Sequence, residues 1–199
     1  MTKLNRETRR LVVRCLKPTD YLTWQAAHSS MIEPRNKWDK KNRSAQELSR
    51  SHFRKILHSH KKQRDEDRFF VLGVFHKKSH ELLGNVGLMD LQRGISQSAY
   101  LGYTIFNRHW GKGYGKESVL AAIDIAFKDL GLHRIEAGIE PTNRRSIFLA
   151  RSLGLRKEGL KKRAIFVSTR NRWVDLLSYS ATCEDFGIKW KGKTQTRPH

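Results

Sequence analysis

The chain has 199 residues, with 40 Lys or Arg against 19 Asp or Glu, so its formal net charge is +21. This length fits one domain with a buried core, and a hydrophobic fraction of 38% argues against a disordered chain. The absence of a long apolar run or an apolar leader, together with Cys15 and Cys183 as expected buried thiols, predicts a cytoplasmic protein without membrane contact.

The first half of the chain predicts one strand, two helices and three further strands. Residues 10–16 are β-branched and apolar, which is typical of a strand, and a turn at Pro18 leads into a first helix. Ser44 and Glu47 match a capping box, so a second helix is expected to begin at Ser44. The three strands that follow are predicted at 68–76, 81–91 and 98–106.

The second half predicts two helices and three strands. The helices are expected at 117–131 and 146–154, and the strands at 133–140, 155–167 and 172–182. The whole order predicts a mixed α/β (α+β) domain over residues 1–185, with one strand–helix–strand crossover at its middle. Residues 186–199 form a basic tail in which Phe186 and Trp190 are candidates for docking.

The positive charge is clustered, and this favours a polyanionic partner such as nucleic acid or a ribonucleoprotein. The alternative is that these charged side chains only form a solvated surface and bind no polyanion. The clustered cations are Lys37, Lys40, Lys41, Arg43, Arg50, Arg54, Lys55, Lys61 and Lys62, then Lys161, Lys162, Arg163, Arg170 and Arg172, and finally Lys189, Lys191, Lys193 and Arg197.

The segment HWGKGYGKES, residues 109–118, places glycines at alternate positions before a helix. Only three residues separate Gly111 from Gly115, and Lys116 is followed by Glu117, so the segment is not a P-loop. A dinucleotide fingerprint would need glycine where Lys116 stands. Two interpretations remain: a backbone anion site at a helix N-terminus, or a turn whose glycines serve only to reverse the chain.

The stretch YLGYTIFNRHWGKGYGKES, followed by a helix and then by LHRIEAGIEPTNRRSIFLARSLGLRKEG, resembles the GNAT superfamily of N-acetyltransferases. Within it, the chain is most similar to the RimJ and RimL branch of ribosomal-protein alanine acetyltransferases. The resemblance covers residues 10–182, and its specific part is 100–159. It implies a mostly antiparallel sheet that is splayed at an acetyl-CoA site, with flanking helices.

By this resemblance the glycine-rich loop holds the pyrophosphate of coenzyme A. The family loop begins with Gln or Arg, whereas this chain has Trp110. The backbone of the preceding strand is expected to bind the acetyl-pantetheine arm and to stabilise the oxyanion of the reaction. The implied acetyl-CoA contacts are Tyr103, Thr104, Ile105, Trp110, Gly111, Lys112, Gly113, Tyr114, Gly115, Lys116, Asn143 and Ser146.

Two residues are candidates for a catalytic role. Ser146 is expected near the departing thiolate, while Asn143 has the alternative role of a helix N-cap. Glu136 is the first candidate for a general base, ahead of Glu140 and Asp175, although each acid has a salt bridge as its alternative role. The histidines show no ligand spacing, so no metal is expected.

The pKa of the acceptor amine and the charge of the chain both help to predict the acceptor. A protein N-terminal α-amine has a pKa near 8 against about 10.4 for lysine, so it makes little demand on a base. The predicted acceptor is the N-terminus of a ribosomal protein, with contact to the ribosome or its RNA. The alternatives are a small-molecule amine, or a non-catalytic RNA-binding or ribosome-binding module on the same fold. A monomer and a homodimer are both compatible with the sequence.

Overall fold

The computed structural model describes residues 4–39 and 43–192, and in this part of the chain one eight-stranded sheet is flanked by four α-helices. The strands are β1 (Asn5–Glu7), β2 (Leu11–Arg14), β3 (Phe70–His76), β4 (Leu82–Gln92), β5 (Ser98–Ile105), β6 (Arg134–Ile139), β7 (Arg156–Val167) and β8 (Arg172–Thr182). The helices are α1 (Tyr21–Ser29), α2 (Arg50–Asp65), α3 (Tyr114–Asp124) and α4 (Arg144–Ser152). The predicted mixed fold is confirmed.

The strands lie in the order β1-β2-β3-β4-β5-β6-β8-β7, and β5 and β6 form the one parallel pair among these strands. Helix α3 makes the crossover between them. Pairing joins residues 98–100 to 134–136 and then stops, although β5 runs on to Ile105 and β6 to Ile139. The two strands therefore splay apart, as expected, and their unpaired halves leave a gap in the middle of the sheet.

In the first half of the chain, two features differ from the prediction. The first strand is part of a hairpin, β1–β2, whose turn is closed by hydrogen bonds between Thr8 and Leu11. The capping box of Ser44 and Glu47 does form, but it closes an isolated turn. Helix α2 begins six residues later, because Ser49 is in an extended conformation and its Oγ caps the N–H of His52.

The sheet separates two apolar layers. Helices α3 and α4 pack on one face, around buried residues such as Val119 and Ile135. Helices α1 and α2 pack on the other face through a smaller cluster that contains Trp24 and Phe53. Within residues 4–39 and 43–192, every helix is too short or too polar to cross a bilayer.

The start of the predicted tail docks on the domain. Phe186 packs on Phe127 with ring centroids 5.8 Å apart, and Trp190 Nε1 donates a 3.2 Å hydrogen bond to the carbonyl of Gly131. The predicted basic clusters also include residues that lie outside the described part of the chain, namely Lys40, Lys41, Lys193 and Arg197.

Candidate active site

The glycine-rich loop ends at the N-terminus of α3. Gly111 and Gly113 have φ values of +78° and +77°, a backbone conformation that costs any residue with a Cβ. Gly113 is the N-cap of α3, which therefore begins at Tyr114, three residues earlier than predicted. The amide N–H groups from Gly111 to Lys116 have no acceptor among the described residues. They form a set of free donors at the positive end of a helix, which suits an anion.

Arg10 on the neighbouring hairpin holds this loop in place. Its Nε donates to Glu117 Oε2 at 2.7 Å, and its Nη1 donates to the carbonyl oxygen of Lys112 at 2.8 Å. Its guanidinium also lies 4.7 Å from the ring centroid of Tyr114. The carbonyl oxygen of Lys112 therefore already accepts a hydrogen bond from Arg10. Lys112 is also the one residue between Gly111 and Lys116 that is outside the lining of the adjacent cleft.

A cleft of about 820 Å³ runs along the loop, and we call it the outer cleft. It extends from the free amides of the loop to the first turn of α4, where Arg144 and Arg145 add positive charge. Of the predicted cofactor contacts, it is lined by Tyr103, Thr104, Ile105, Trp110, Gly111, Gly113, Tyr114, Gly115, Lys116, Asn143 and Ser146.

A smaller inner cleft, of about 220 Å³, occupies the gap between the splayed strands. Its walls come from Gly102 of β5, Gly138 and Ile139 of β6, and Ile165 and Leu176 of the β7–β8 hairpin. The two clefts meet, since they share the lining residues Trp38, Tyr103, Asn143, Ser146 and Leu149. The two clefts therefore adjoin at these residues, between the glycine-rich loop and the gap in the sheet.

Two hydroxyl groups stand where the clefts meet. Tyr103 Oη lies 3.2 Å from Ser146 Oγ, and burial raises the pKa of Tyr103. Ser146 is fixed at the start of α4, because Asn143 Oδ1 accepts a 3.2 Å hydrogen bond from its backbone N–H. Asn143 therefore does act as an N-cap, as its alternative role predicted. The sequence pattern indicates only a backbone role for Tyr103, and its hydroxyl becomes a candidate group only in the folded structure.

Trp110 links the loop to the end of β5. Its Nε1 donates a 2.7 Å hydrogen bond to the carbonyl oxygen of Ile105, and the guanidinium of Arg145 lies 4.2 Å from its ring centroid. The side chain that replaces the family's Gln or Arg is therefore held between β5 and α4.

The predicted bases occupy different surroundings. Glu136 sits where β5 and β6 are still paired, accepts a 3.0 Å hydrogen bond from Arg134, and is outside the lining of both clefts. Glu140 does line the inner cleft, with a side chain that is 11% exposed. Asp175 accepts a 2.8 Å hydrogen bond from the backbone N–H of Arg163.

Glu140 is also the centre of a network that joins two loops. Its carboxylate accepts hydrogen bonds from both terminal nitrogens of Arg170, from Lys37 Nζ at 3.1 Å and from Trp38 Nε1 at 3.0 Å. Hydrogen bonding to Arg170 is the largest cause that lowers the pKa of Glu140 to about 2, followed on the lowering side by Lys37 and Trp38. A carboxylate held in this way is a weak base.

One group of metal-ligand side chains occurs in the described part of the chain. His133, Cys183 and Glu184 bring their ligand atoms within 4.8 Å of one another, away from both cleft linings. Burial raises the pKa of the Cys183 thiol to about 11, with a hydrogen bond to Glu184 adding to the shift. His133 and Glu184 are 3.2 Å apart, so the three side chains form a hydrogen-bonded cluster of their own.

The family model described as an acetyltransferase (GNAT) domain matches residues 10–156. The chain belongs to this GNAT acetyltransferase family. The matched segment covers the loop, the crossover and the splayed strands. The GNAT family uses acetyl-CoA, which is consistent with a loop of free amides that opens into a long cleft.

Relatives by sequence include the probable N-acetyltransferase YjcK of Bacillus subtilis, 34% identical over 115 residues, which are 58% of this chain and 64% of that protein. The [ribosomal protein uS5]-alanine N-acetyltransferase of Escherichia coli is 32% identical over 117 residues, 59% of each chain. The alignment thus spans less than two thirds of either relative.

Solved structures extend the likeness over nearly the whole chain. Ribosomal-protein-S5-alanine acetyltransferase from Vibrio fischeri has a TM-score of 0.74 and 25% identity, covering 94% of this chain and 99% of that one. Mycobacterium smegmatis RimJ in complex with CoA-disulfide has a TM-score of 0.76 and shares the fold at 22% identity, covering 95% and 93%.

Proposed function

We propose that the chain transfers the acetyl group of acetyl-CoA to the α-amine at the N-terminus of a ribosomal protein. The observation that carries the proposal is the meeting of the two clefts at Tyr103 and Ser146. One cleft leads from this point to a set of free amides suited to a pyrophosphate, and the other leads through the sheet. Two substrates can therefore reach one point from separate sides.

The lining of the outer cleft fits acetyl-CoA. The amides from Gly111 to Lys116 would hold the pyrophosphate, and the glycines at 111 and 113 leave no Cβ in its way. Arg144 and Arg145 add positive charge to the same cleft. Bound acetyl-CoA supplies a thioester: the neutral amine nitrogen bonds to the acyl carbon and gives up one proton, the C–S bond breaks, and the leaving sulfur takes up a proton.

The chain's own groups then have separate tasks. Tyr103 and Ser146 carry hydrogen-bonded neutral hydroxyls where the clefts meet, so the two acting together are suited to give a proton to the leaving sulfur. The backbone amides of Tyr103 and Ile105, beside the splay, are proposed to stabilise the oxyanion. Glu136 keeps its proposed role as base or water-orienting group, but it would act through water because it is outside the cleft lining.

The inner cleft favours an α-amine over a polyamine. Among its described lining residues Glu140 is the one acid, and Arg170 and Lys37 already neutralise it. A polyamine would need further acidic groups there. The net charge of +21 supports an acceptor that lies beside RNA, as ribosomal proteins do.

Two measurements test this proposal. Mass spectrometry of ribosomal proteins from cells with and without the gene should show at least one N-terminus that loses its acetyl group. The purified protein should acetylate a peptide with that N-terminal sequence, and a peptide with a blocked N-terminus but an internal lysine is the matched control. An unchanged acetylation pattern, or turnover of polyamines in preference to the peptide, would reject the acceptor.

A further inference from the structure

The β7–β8 hairpin forms an edge of the sheet and concentrates positive charge. Residues 156–172 contain seven Lys or Arg and one acid, Glu158. Strand β7 is exposed along most of its 12 residues and pairs only with β8 among the described strands. The hairpin is thus an accessible cationic surface next to the inner cleft, to which it contributes Ile165 and Leu176.

The hairpin also exposes two aromatic rings. Phe166 and Trp173 are register partners, and their side chains are 49% and 59% exposed. Their ring centroids are 5.7 Å apart at an interplanar angle of 60°. Contiguous exposed apolar surface rimmed by polar residues marks interaction sites, whereas single exposed apolar residues need no explanation.

The rings and several cations share one face of the hairpin. Partners in register lie on the same face, and successive residues alternate between faces, so Phe166 and Trp173 point away from the face of Ile165, which lines the inner cleft. The exposed or charged residues on the ring-bearing side, which we call the hairpin face, are Lys157, Leu160, Lys162, Phe166, Trp173 and Asp175, whose carboxylate pairs with Lys162.

Lys162 reaches the hairpin face through a β-bulge. The register of β7 against β8 shifts between Lys161 and Ile165, and Asp175 contacts two of the extra residues, Lys162 and Arg163. Asp175, two residues beyond Trp173 on β8, accepts a 2.8 Å hydrogen bond from the Arg163 backbone and lies 3.4 Å from Lys162 Nζ. The bulge therefore places the Lys162 ammonium beside Asp175, two residues along β8 from Trp173.

We propose that the hairpin face binds single-stranded RNA, with bases stacking on Phe166 and Trp173 and phosphates contacting Lys157 and Lys162. Aromatic rings interleaved with cations are the usual means of binding single strands. A second copy of this chain would bring the same excess of positive charge against it, so charge complementarity favours a polyanion. The inference rests on the proposed function in one respect, namely that the acceptor lies beside RNA.

Removal of the rings tests the stacking. A fluorescently labelled 12-nucleotide oligouridylate, measured by anisotropy, should bind Phe166→Ala/Trp173→Ala at least about 10-fold more weakly than the unmodified protein. The matched control is Leu22→Ala/Ile95→Ala, which trims two other exposed apolar side chains, 67% and 105% exposed. It should bind the oligonucleotide with unchanged affinity. If Phe166→Ala/Trp173→Ala, the ring variant, fails to fold, Trp173→Ala alone tests the stacking.

Removal of charge tests the phosphate contacts. Replacing Lys157 and Lys162 by Ser should flatten the dependence of log Kd on log salt by about 1.4, since each phosphate contact on a single strand contributes about 0.7 to the slope. Lys17→Ser/Lys78→Ser removes the same charge from exposed positions outside the hairpin and should leave the slope unchanged.

The outcomes separate this inference from the proposed function. Equal RNA affinity for the ring variant and the unmodified protein would overturn the RNA inference. Polyglutamate that competes as well as RNA would overturn it too, because both results point to a purely electrostatic or protein-binding surface. Acetylation of a free peptide without RNA should be the same in the ring variant. If the unmodified protein acetylates no N-terminal peptide yet binds RNA through this face, the proposed function fails and the RNA site stands.

Discussion

The hydroxyls of Tyr103 and Ser146 lie 3.2 Å apart, although one belongs to the strand before the glycine-rich loop and the other to the start of α4. Neither strand nor helix alone would form this pair. It exists because the splay of β5 from β6 brings the unpaired end of β5 next to the N-terminus of α4, where Asn143 fixes Ser146.

This pair leads to the first prediction. Tyr103→Phe and Ser146→Ala should each lower kcat, because each removes a neutral donor for the leaving sulfur, and loss of a general acid costs about 10²-fold or more. The KM for acetyl-CoA should change little. The double variant should lose less than the sum of the two free-energy changes, since the hydroxyls act together. An unchanged kcat in both single variants would remove the pair from the mechanism.

A second prediction concerns the glycine-rich loop. Gly113→Ala should lower acetyl-CoA affinity at least about 10-fold in calorimetry, because its φ of +77° disfavours a Cβ and because that Cβ would lie 3.2 Å from Arg10 Nη2, beside the free amides. Gly131→Ala is the matched control. Gly131 has a φ of +65° with open space around it, so this variant carries the same backbone cost without touching the site.

Both glycine variants should lose about 1 kcal/mol of stability, and only Gly113→Ala should lose affinity. If Gly113→Ala bound acetyl-CoA as well as Gly131→Ala does, the loop would not be the pyrophosphate site.

The loop and the crossover could be predicted because their signals are local. Alternate glycines before a helix, and apolar residues at helical spacing after Glu117, occupy one continuous segment. The network around Glu140 could not be predicted in the same way. Its donors Trp38 and Lys37 are 102 and 103 residues away along the chain, and Arg170 is 30 residues away. No spacing rule links residues so far apart, and only the folded sheet brings them together.

The second helix shows a different limit. Ser44 and Glu47 make the hydrogen bonds of a capping box, so the local chemistry was predicted correctly and the helix boundary was wrong. A capping box satisfies the amides of one turn but does not compel the chain to continue as a helix. Ser49 supplies a second cap, and the helix follows that one. The spacing of Glu136 and Glu140 puts both acids on one face of a strand, and only the folded structure distinguishes them, since of the two Glu140 alone lines a cleft.

A third prediction follows from the Glu140 network. The pKa of Glu140 is lowered from 4.5 to about 2, so the stability it contributes is present above pH 4.5 and is lost as the pH falls towards 2. Glu140→Gln should therefore unfold about 2 kcal/mol more easily at pH 7, and this difference should vanish towards pH 2. Urea titrations across this range measure it.

The same variant should also affect the acceptor. Because Glu140 ties Lys37 and Arg170 to one wall of the inner cleft, the KM for the acceptor peptide should rise while the KM for acetyl-CoA stays unchanged. Glu7→Gln, which breaks an exposed ion pair with Lys77, is the control and should change neither stability nor KM. A rise in both KM values of Glu140→Gln would indicate general damage and not a role on the acceptor side.

The fourth prediction concerns a buried histidine in the layer of α1 and α2. His28 is 8% exposed, packs 4.7 Å from Trp24 and 5.0 Å from Phe106 by ring centroids, and has its Nδ1 2.8 Å from the Trp24 carbonyl oxygen. Burial lowers its pKa from 6.5 to about 4. The folded protein therefore holds His28 neutral where the unfolded chain takes up a proton. The contribution of His28 to the free energy of unfolding should therefore be complete above pH 6.5. It should fall by on the order of 3 kcal/mol between pH 6.5 and 4.

His28→Phe keeps an aromatic ring between Trp24 and Phe106 and removes the titrating group. At pH 7 the variant should be about 1 kcal/mol less stable, because the hydrogen bond is lost. Between pH 6.5 and 4 its stability should fall less steeply than that of the unmodified protein. His109, whose pKa burial also lowers to about 4, should account for part of the slope that remains. The control is His58→Phe at an exposed position on α2, which should keep the original pH profile. Parallel pH profiles for His28→Phe and the unmodified protein would show that His28 does not titrate on unfolding.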